Sequence, residues 1–271
     1  MRKFLSAKAL IGLALVLTVV AVAILAPFFI APERATQMVM SARLQPPSLA
    51  YPLGTDQLGR DLLARVMLGA QTSLMIAVLA VGMSIVLGLP LGIISGYFGG
   101  RIDNVLMRII DALLSFPALL LALTISAVLG PNLQNTIIAI GIAFTPFLAR
   151  IVRGEALRVV QMPYVEAARA AGTRDVQMIL RHILPNIMPA LIVQATISLA
   201  FAVLAEAALS FLGLGTQPPM ASWGLMIQAS RQFLDLAPWT ALVPGAALAI
   251  TILGLNLLGD VLRDVLDPRV R

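Results

Sequence analysis

The chain has 271 residues, of which 59% are hydrophobic and only 12% charged; a soluble domain carries about twice that charged share. It has no cysteine and one histidine, His182, which excludes disulfides, thiolate metal sites, a cysteine nucleophile and a histidine cluster. The apolar residues gather in runs near the roughly 20 that a helix needs to cross hydrocarbon, and alternating ten-residue strands are absent, so the predicted fold class is all-α and polytopic in the membrane.

Six spans are predicted, at about residues 9–30, 72–97, 105–129, 134–151, 187–212 and 239–262. The first follows Met1-Arg2-Lys3-Phe4 and resembles a secretory signal. Its Ala21-Val22-Ala23 triplet lies inside the apolar run, which predicts an uncleaved signal anchor. Residues 1–71 are read as this anchor plus an outer segment, and residues 72–271 as a five-helix core. The outer segment holds Gly54-Thr55-Asp56-Gln57-Leu58-Gly59-Arg60-Asp61. Asp61 and Arg65 stand in the favourable order for a helical pair, with Gly69 as a candidate helix end.

In the second span Ser84, Gly88, Gly92 and Gly96 recur every fourth residue. Small residues so spaced let two membrane helices approach closely, within this chain or against a partner. Thr145-Pro146 reads as a possible helix break. A polar segment at about 156–186 then interrupts the apolar pattern. Pro163 suits a first helical turn, Ala167, Ala168, Ala170 and Ala171 make a small-residue face, and Gly172 can stop the helix in a left-handed turn. Thr173 is the expected cap of a second helix and Pro185 its expected end. The product is a compact knob that another protein's backbone can approach.

The fifth span carries Gln194, Ser198, Glu206 and Ser210 at multiples of four, a slowly winding polar stripe. Glu206 is the one acid well inside a span, so it should face protein or water. Two readings stand: the wall of a pathway or gate, or a structural hydrogen bond to another span. Residues 213–238, rich in glycine and proline around Trp223, read as an outer loop lying against the membrane and shielded by protein.

Placing the N-terminus in the cytoplasm puts 14 of the 19 basic residues inside. Only Arg34, Arg43, Arg60, Arg65 and Arg231 then lie outside. The positive-inside rule therefore predicts both termini and the knob in the cytoplasm. The charge of +6 thus speaks for membrane orientation and not for nucleic acid. Lysines occur only at positions 3 and 8, so no phosphate loop of the Gly-x-x-x-x-Gly-Lys kind exists. No carboxylate pair, triad or metal-ligand cluster appears in the sequence.

Glu166-Ala167-Ala168, Gly172 and Leu184-Pro185 resemble the EAA loop of ABC-importer permeases. The run Arg181-His182-Ile183-Leu184-Pro185-Asn186 has the form of their dipeptide, oligopeptide and nickel branch. Leu53-Gly54-Thr55-Asp56 with Gly59-Arg60-Asp61, and Leu209 to Gly215 with Pro218-Pro219 and Ser222-Trp223-Gly224, resemble that branch's second permease subunit. The resemblance implies a type I importer permease fold and no catalysis in this chain. It implies ATP and Mg held by two partner ATPase subunits, a second homologous permease, and a substrate-binding protein outside. It also implies an ATPase seat at Glu166, Ala167, Ala168, Gly172, Arg181, His182, Leu184 and Pro185. Thr55, Asp56, Arg60, Asp61 and Trp223 become candidate outer contacts. Short peptides are the first substrate class, nickel or another metal chelate the second. An ion-coupled secondary transporter is the rival that the Thr145-Pro146 break and Glu206 would suit, and an intramembrane enzyme lacks a nucleophile and base.

Overall fold

The computed structural model describes residues 7–266, which form helices without a strand. Arg2, Lys3, Arg269 and Arg271 of the charge argument lie outside the described residues. In chain order the helices are α1 (Ala7–Phe29), α2 (Pro32–Thr36), α3 (Leu62–Phe98), α4 (Gly100–Leu114), α5 (Ala118–Leu129), α6 (Leu133–Val160), α7 (Pro163–Ala170), α8 (Asp175–Met178), α9 (Leu184–Phe211), α10 (Trp223–Ser230) and α11 (Trp239–Leu266). Five helical rods are long and apolar enough to cross a membrane: α1, α3, α6, the continuous run Asp175–Phe211, and α11.

The third predicted span is corrected. It is a pair, α4 and α5, bent by 84°. Pro117 lacks a donor and biases Phe116 away from helix. Arg101, Asp103, Arg108 and Asp111 also make α4 too polar to sit in hydrocarbon. α5 alone reaches about 18 Å, short of a bilayer core. Its far end nevertheless lies beside the end of α9, where the Ser126 hydroxyl donates to the Leu214 carbonyl at 2.9 Å. The pair is therefore the sixth candidate passage, with α5 as its apolar arm.

Other expectations also change. α3 begins at Leu62 and runs through Gly69 for 37 residues. Asp61 does not pair with Arg65; it caps α3, accepting from the Leu63 and Ala64 amides. α6 is unbroken through Pro146, and the Thr145 hydroxyl turns back to the Gly141 carbonyl at 2.8 Å. The outer loop contains α10, capped by Ser222.

The small-residue stripe of α3 packs within the chain. A Cβ on Gly92 would stand 2.6 Å from the Ala149 carbonyl oxygen and from Val152 Cβ. At Gly96 it would stand 2.7 Å from Ala156 Cβ. α3 and α6 therefore lie against each other along most of their length. α1 joins the bundle through α11, where Gly12 meets Leu257 and Gly254 meets Leu15 and Val16. One apolar cluster gathers Ile76, Ile140, Val203, Leu209 and Trp223 towards the outer loop. A second gathers Ile93, Leu148, Val152, Val165, Ile183 and Ile187 beneath the knob.

Candidate functional site

The knob is built from α7, a glycine corner and α8. Pro163 opens α7. The Thr173 amide donates to the Ala168 carbonyl at 3.1 Å and the Gly172 amide to the Arg169 carbonyl at 3.0 Å. This is the paired C-cap in which a left-handed residue ends a helix, and Gly172 supplies it with φ of 80°. Val165 is fully buried in the second cluster. Glu166, Ala167, Arg169, Ala170, Ala171 and Gly172 are exposed, and Ala168 is half-buried. One side of α7 thus anchors the knob and the other presents small residues around one carboxylate.

Two details of the second helix are corrected. Arg174, not Thr173, occupies the N-cap, without a side-chain hydrogen bond. Pro185 does not end the helix. A π-helical segment, Ile179–Ile183, joins α8 to α9, and Pro185 lies in the first turn of α9. The wider turn relieves the clash and missing donor that proline imposes on an α-helix. Arg181 and Pro185 are exposed, while His182 and Leu184 are half-buried. The His182 ring lies 6.3 Å from Tyr164, and its carbonyl accepts from the Asn186 amide at 2.7 Å.

Sequence reasoning missed the fastening of the knob to α3. The Tyr97 hydroxyl donates to Asp175 at 2.5 Å. The Arg169 guanidinium stands over the Tyr97 ring at 5.7 Å, a contact worth about 0.5–1 kcal/mol at an exposed site. Tyr97 therefore ties both helices of the knob to the end of α3. The signal was an aromatic at the C-terminal end of an apolar run, with no local pattern to assign its partners.

The polar stripe of α9 divides in two. Gln194 lines a cleft of about 680 Å³ between the ends of α6, α9 and α11, together with Glu155, Arg158 and Arg263. Its amide donates to Ser198 at 3.3 Å. Glu206 and Ser210 are instead fully buried. Glu206 accepts from Ser73 of α3 at 2.9 Å and from Ser210 at 2.7 Å. Ser210 Oγ in turn accepts from the Thr216 amide at 3.1 Å and lies 3.4 Å from Ser222 Oγ. The Trp223 amide reaches Ser73 at 3.4 Å. One carboxyl group thus joins α3, α9, the outer loop and α10.

None of the five candidate outer contacts lies on the surface: four are inside the outer segment, and Trp223 opens α10. Thr55, Asp56, Arg60, Asp61 and Trp223 are all buried. Asp56 holds Arg60 at 2.6 Å and Arg65 at 3.4 Å, and Arg65 donates to the Ala35 carbonyl at 2.9 Å. Thr55 donates to the Ala42 carbonyl. Trp223 Nε1 donates to the Val66 carbonyl at 3.0 Å. Their polar groups knit the segment to the start of α3.

Comparison with known proteins matches residues 88–271 to the family described as the binding-protein-dependent transport system inner membrane component. A peptide transport system permease protein of Brucella suis biovar 1 is 50% identical, over 96% of this chain and 88% of its own length. The dipeptide transport system permease protein DppC of Alkalihalophilus pseudofirmus is 43% identical, over 97% of this chain and 86% of its own. Among solved structures, a chain of the MetNI methionine ABC transporter in an inward facing conformation has a TM-score of 0.61 at 22% identity, covering 76% of this chain and 98% of that one. That likeness confirms the type I permease fold. The chain belongs to the family of binding-protein-dependent transport system inner membrane components.

Proposed function

We propose that the chain is the membrane-spanning permease subunit of an ATP-driven importer that moves short peptides delivered by an extracytoplasmic binding protein. The observation that carries this reading is the knob: an exposed small-residue face around Glu166, turned by Gly172 and continuous with a spanning helix. The peptide substrate follows from the relatives that resemble this chain over nearly its whole length. ATP and Mg belong to two partner ATPase subunits seated on the knobs of this chain and of a second permease. Residues 1–71 act as anchor and outer segment, and residues 72–271 as the transport core. Both termini face the cytoplasm.

Movement follows from the rod Asp175–Phe211. From Asp175 to Glu206 it spans about 45 Å at 1.5 Å per residue. An ATPase that displaces α7 and α8 therefore pushes directly on the helix that carries Glu206. The spans open alternately to the two sides as rigid bodies.

Sidedness and seat are checked together. Single cysteines replace Ala50 and Ala170, both exposed, in a chain with no native cysteine. The expected result is labelling of position 50 from outside intact cells, and crosslinking of position 170 to an ATPase subunit but no outside labelling there. Outside labelling at position 170 overturns the reading.

A further inference from the structure

We propose that α4 lies in the inner membrane interface and that its outward face holds anionic phospholipid headgroups through Arg101 and Arg108. This rests on the membrane-spanning fold and the inward placement of the knob, and is independent of the substrate. α4 follows the inner end of α3 and is bent 84° from α5, as suits a helix lying along the surface beside one that enters the membrane. Its acids are neutralised inside the chain. Asp103 accepts from Nε and Nη2 of Arg153, at 2.7 and 2.5 Å, and from the Ser95 hydroxyl. Asp111 pairs with Arg150.

The cations of α4 are not so matched. Arg101 and Arg108 are exposed, and neither has an ion pair among the described residues. Beside them Ile102, Val105 and Ile109 are 46%, 61% and 56% exposed. At 100° per residue, positions 101, 102, 105, 108 and 109 share a sector of about 120°. That face carries two unmatched positive charges along one edge and branched aliphatics along the other. Such a face suits the boundary between anionic headgroups and acyl chains. The arginines are about 10 Å apart along the axis, so each meets its own headgroup. A protein partner here would have to bury three aliphatics and answer two cations at once; an anionic lipid does both.

The test uses the whole importer complex in nanodiscs, cysteine-free apart from Val105→Cys labelled with a small fluorophore. A second complex carries the label at Val86→Cys, where the valine is 71% exposed on α3 and distant in sequence from these arginines. Brominated phosphatidylglycerol and brominated phosphatidylcholine serve as quenchers. Position 105 is expected to prefer phosphatidylglycerol several-fold, and position 86 to show no preference. Arg101→Gln and Arg108→Gln should each reduce the preference by up to about fivefold, the share of one surface cation, and raised salt should weaken it. Equal quenching by the two lipids at position 105 overturns the proposal. So does absence of quenching there, which would mean that protein covers the face. If the arginine variants fail to assemble, the contrast between positions 105 and 86 in the unaltered helix decides.

Discussion

Replacing Gly172 with valine is expected to reduce ATP-driven uptake sharply while leaving the permease in the membrane. A Cβ at Gly172 meets nothing within 4 Å, so the penalty is conformational and not steric. The φ of 80° costs an L residue about 1–2 kcal/mol, a shift of roughly 5- to 30-fold in the population of the formed knob, and β-branching adds to it. Gly172→Asn should retain most activity, because asparagine visits this conformation at low cost. Glu166→Lys reverses an exposed charge on the seat and should also stop uptake, with normal insertion. Substrate-stimulated ATPase activity and uptake are the measurements. Normal values for both Gly172→Val and Glu166→Lys contradict the coupling role.

The second large effect belongs to Glu206. Glu206→Leu should prevent assembly, because Ser73 and Ser210, now donating to Glu206 at 2.9 and 2.7 Å, would be buried beside a side chain that cannot accept. Each orphaned group costs about 1–3 kcal/mol. Glu206→Gln keeps the size and can both accept and donate, so the complex should assemble. Uptake should still fall, because the amide puts a donor where one of the two accepting oxygens now meets a donating serine. Detergent-extracted complex measured by size and thermal midpoint, beside uptake, separates the two steps. A Glu206→Leu complex of normal stability contradicts the network reading.

Much of this was legible in the sequence because hydrocarbon imposes a coarse code. Five rods followed from run length, and the Gly172 corner from the residue that adopts its φ at least cost. The third span misled because Pro117 splits a run whose average is apolar, while the acids of α4 are answered by Arg150 and Arg153, 39 and 50 residues on. Pro185 misled for a different reason: its local rule ends an α-helix, and the π segment before it lifts the restriction. The Tyr97–Asp175 and Glu206–Ser73 contacts were not legible, since each is set by helix packing across many residues; Asp56 finds Arg60 and Arg65 nearby, through a loop with no periodic pattern. Asp61 and Arg65 had the right spacing for a pair, but the helix start claimed Asp61 as its cap.

Uptake by the reconstituted complex tests the central claim most directly. Proteoliposomes would contain this chain, its partner permease and the two ATPases, with the binding protein and a labelled dipeptide on the outer side. The account predicts accumulation that requires ATP on the knob side and the binding protein, and that survives collapse of ion gradients. Uptake that proceeds without ATP and follows an imposed ion gradient would contradict it.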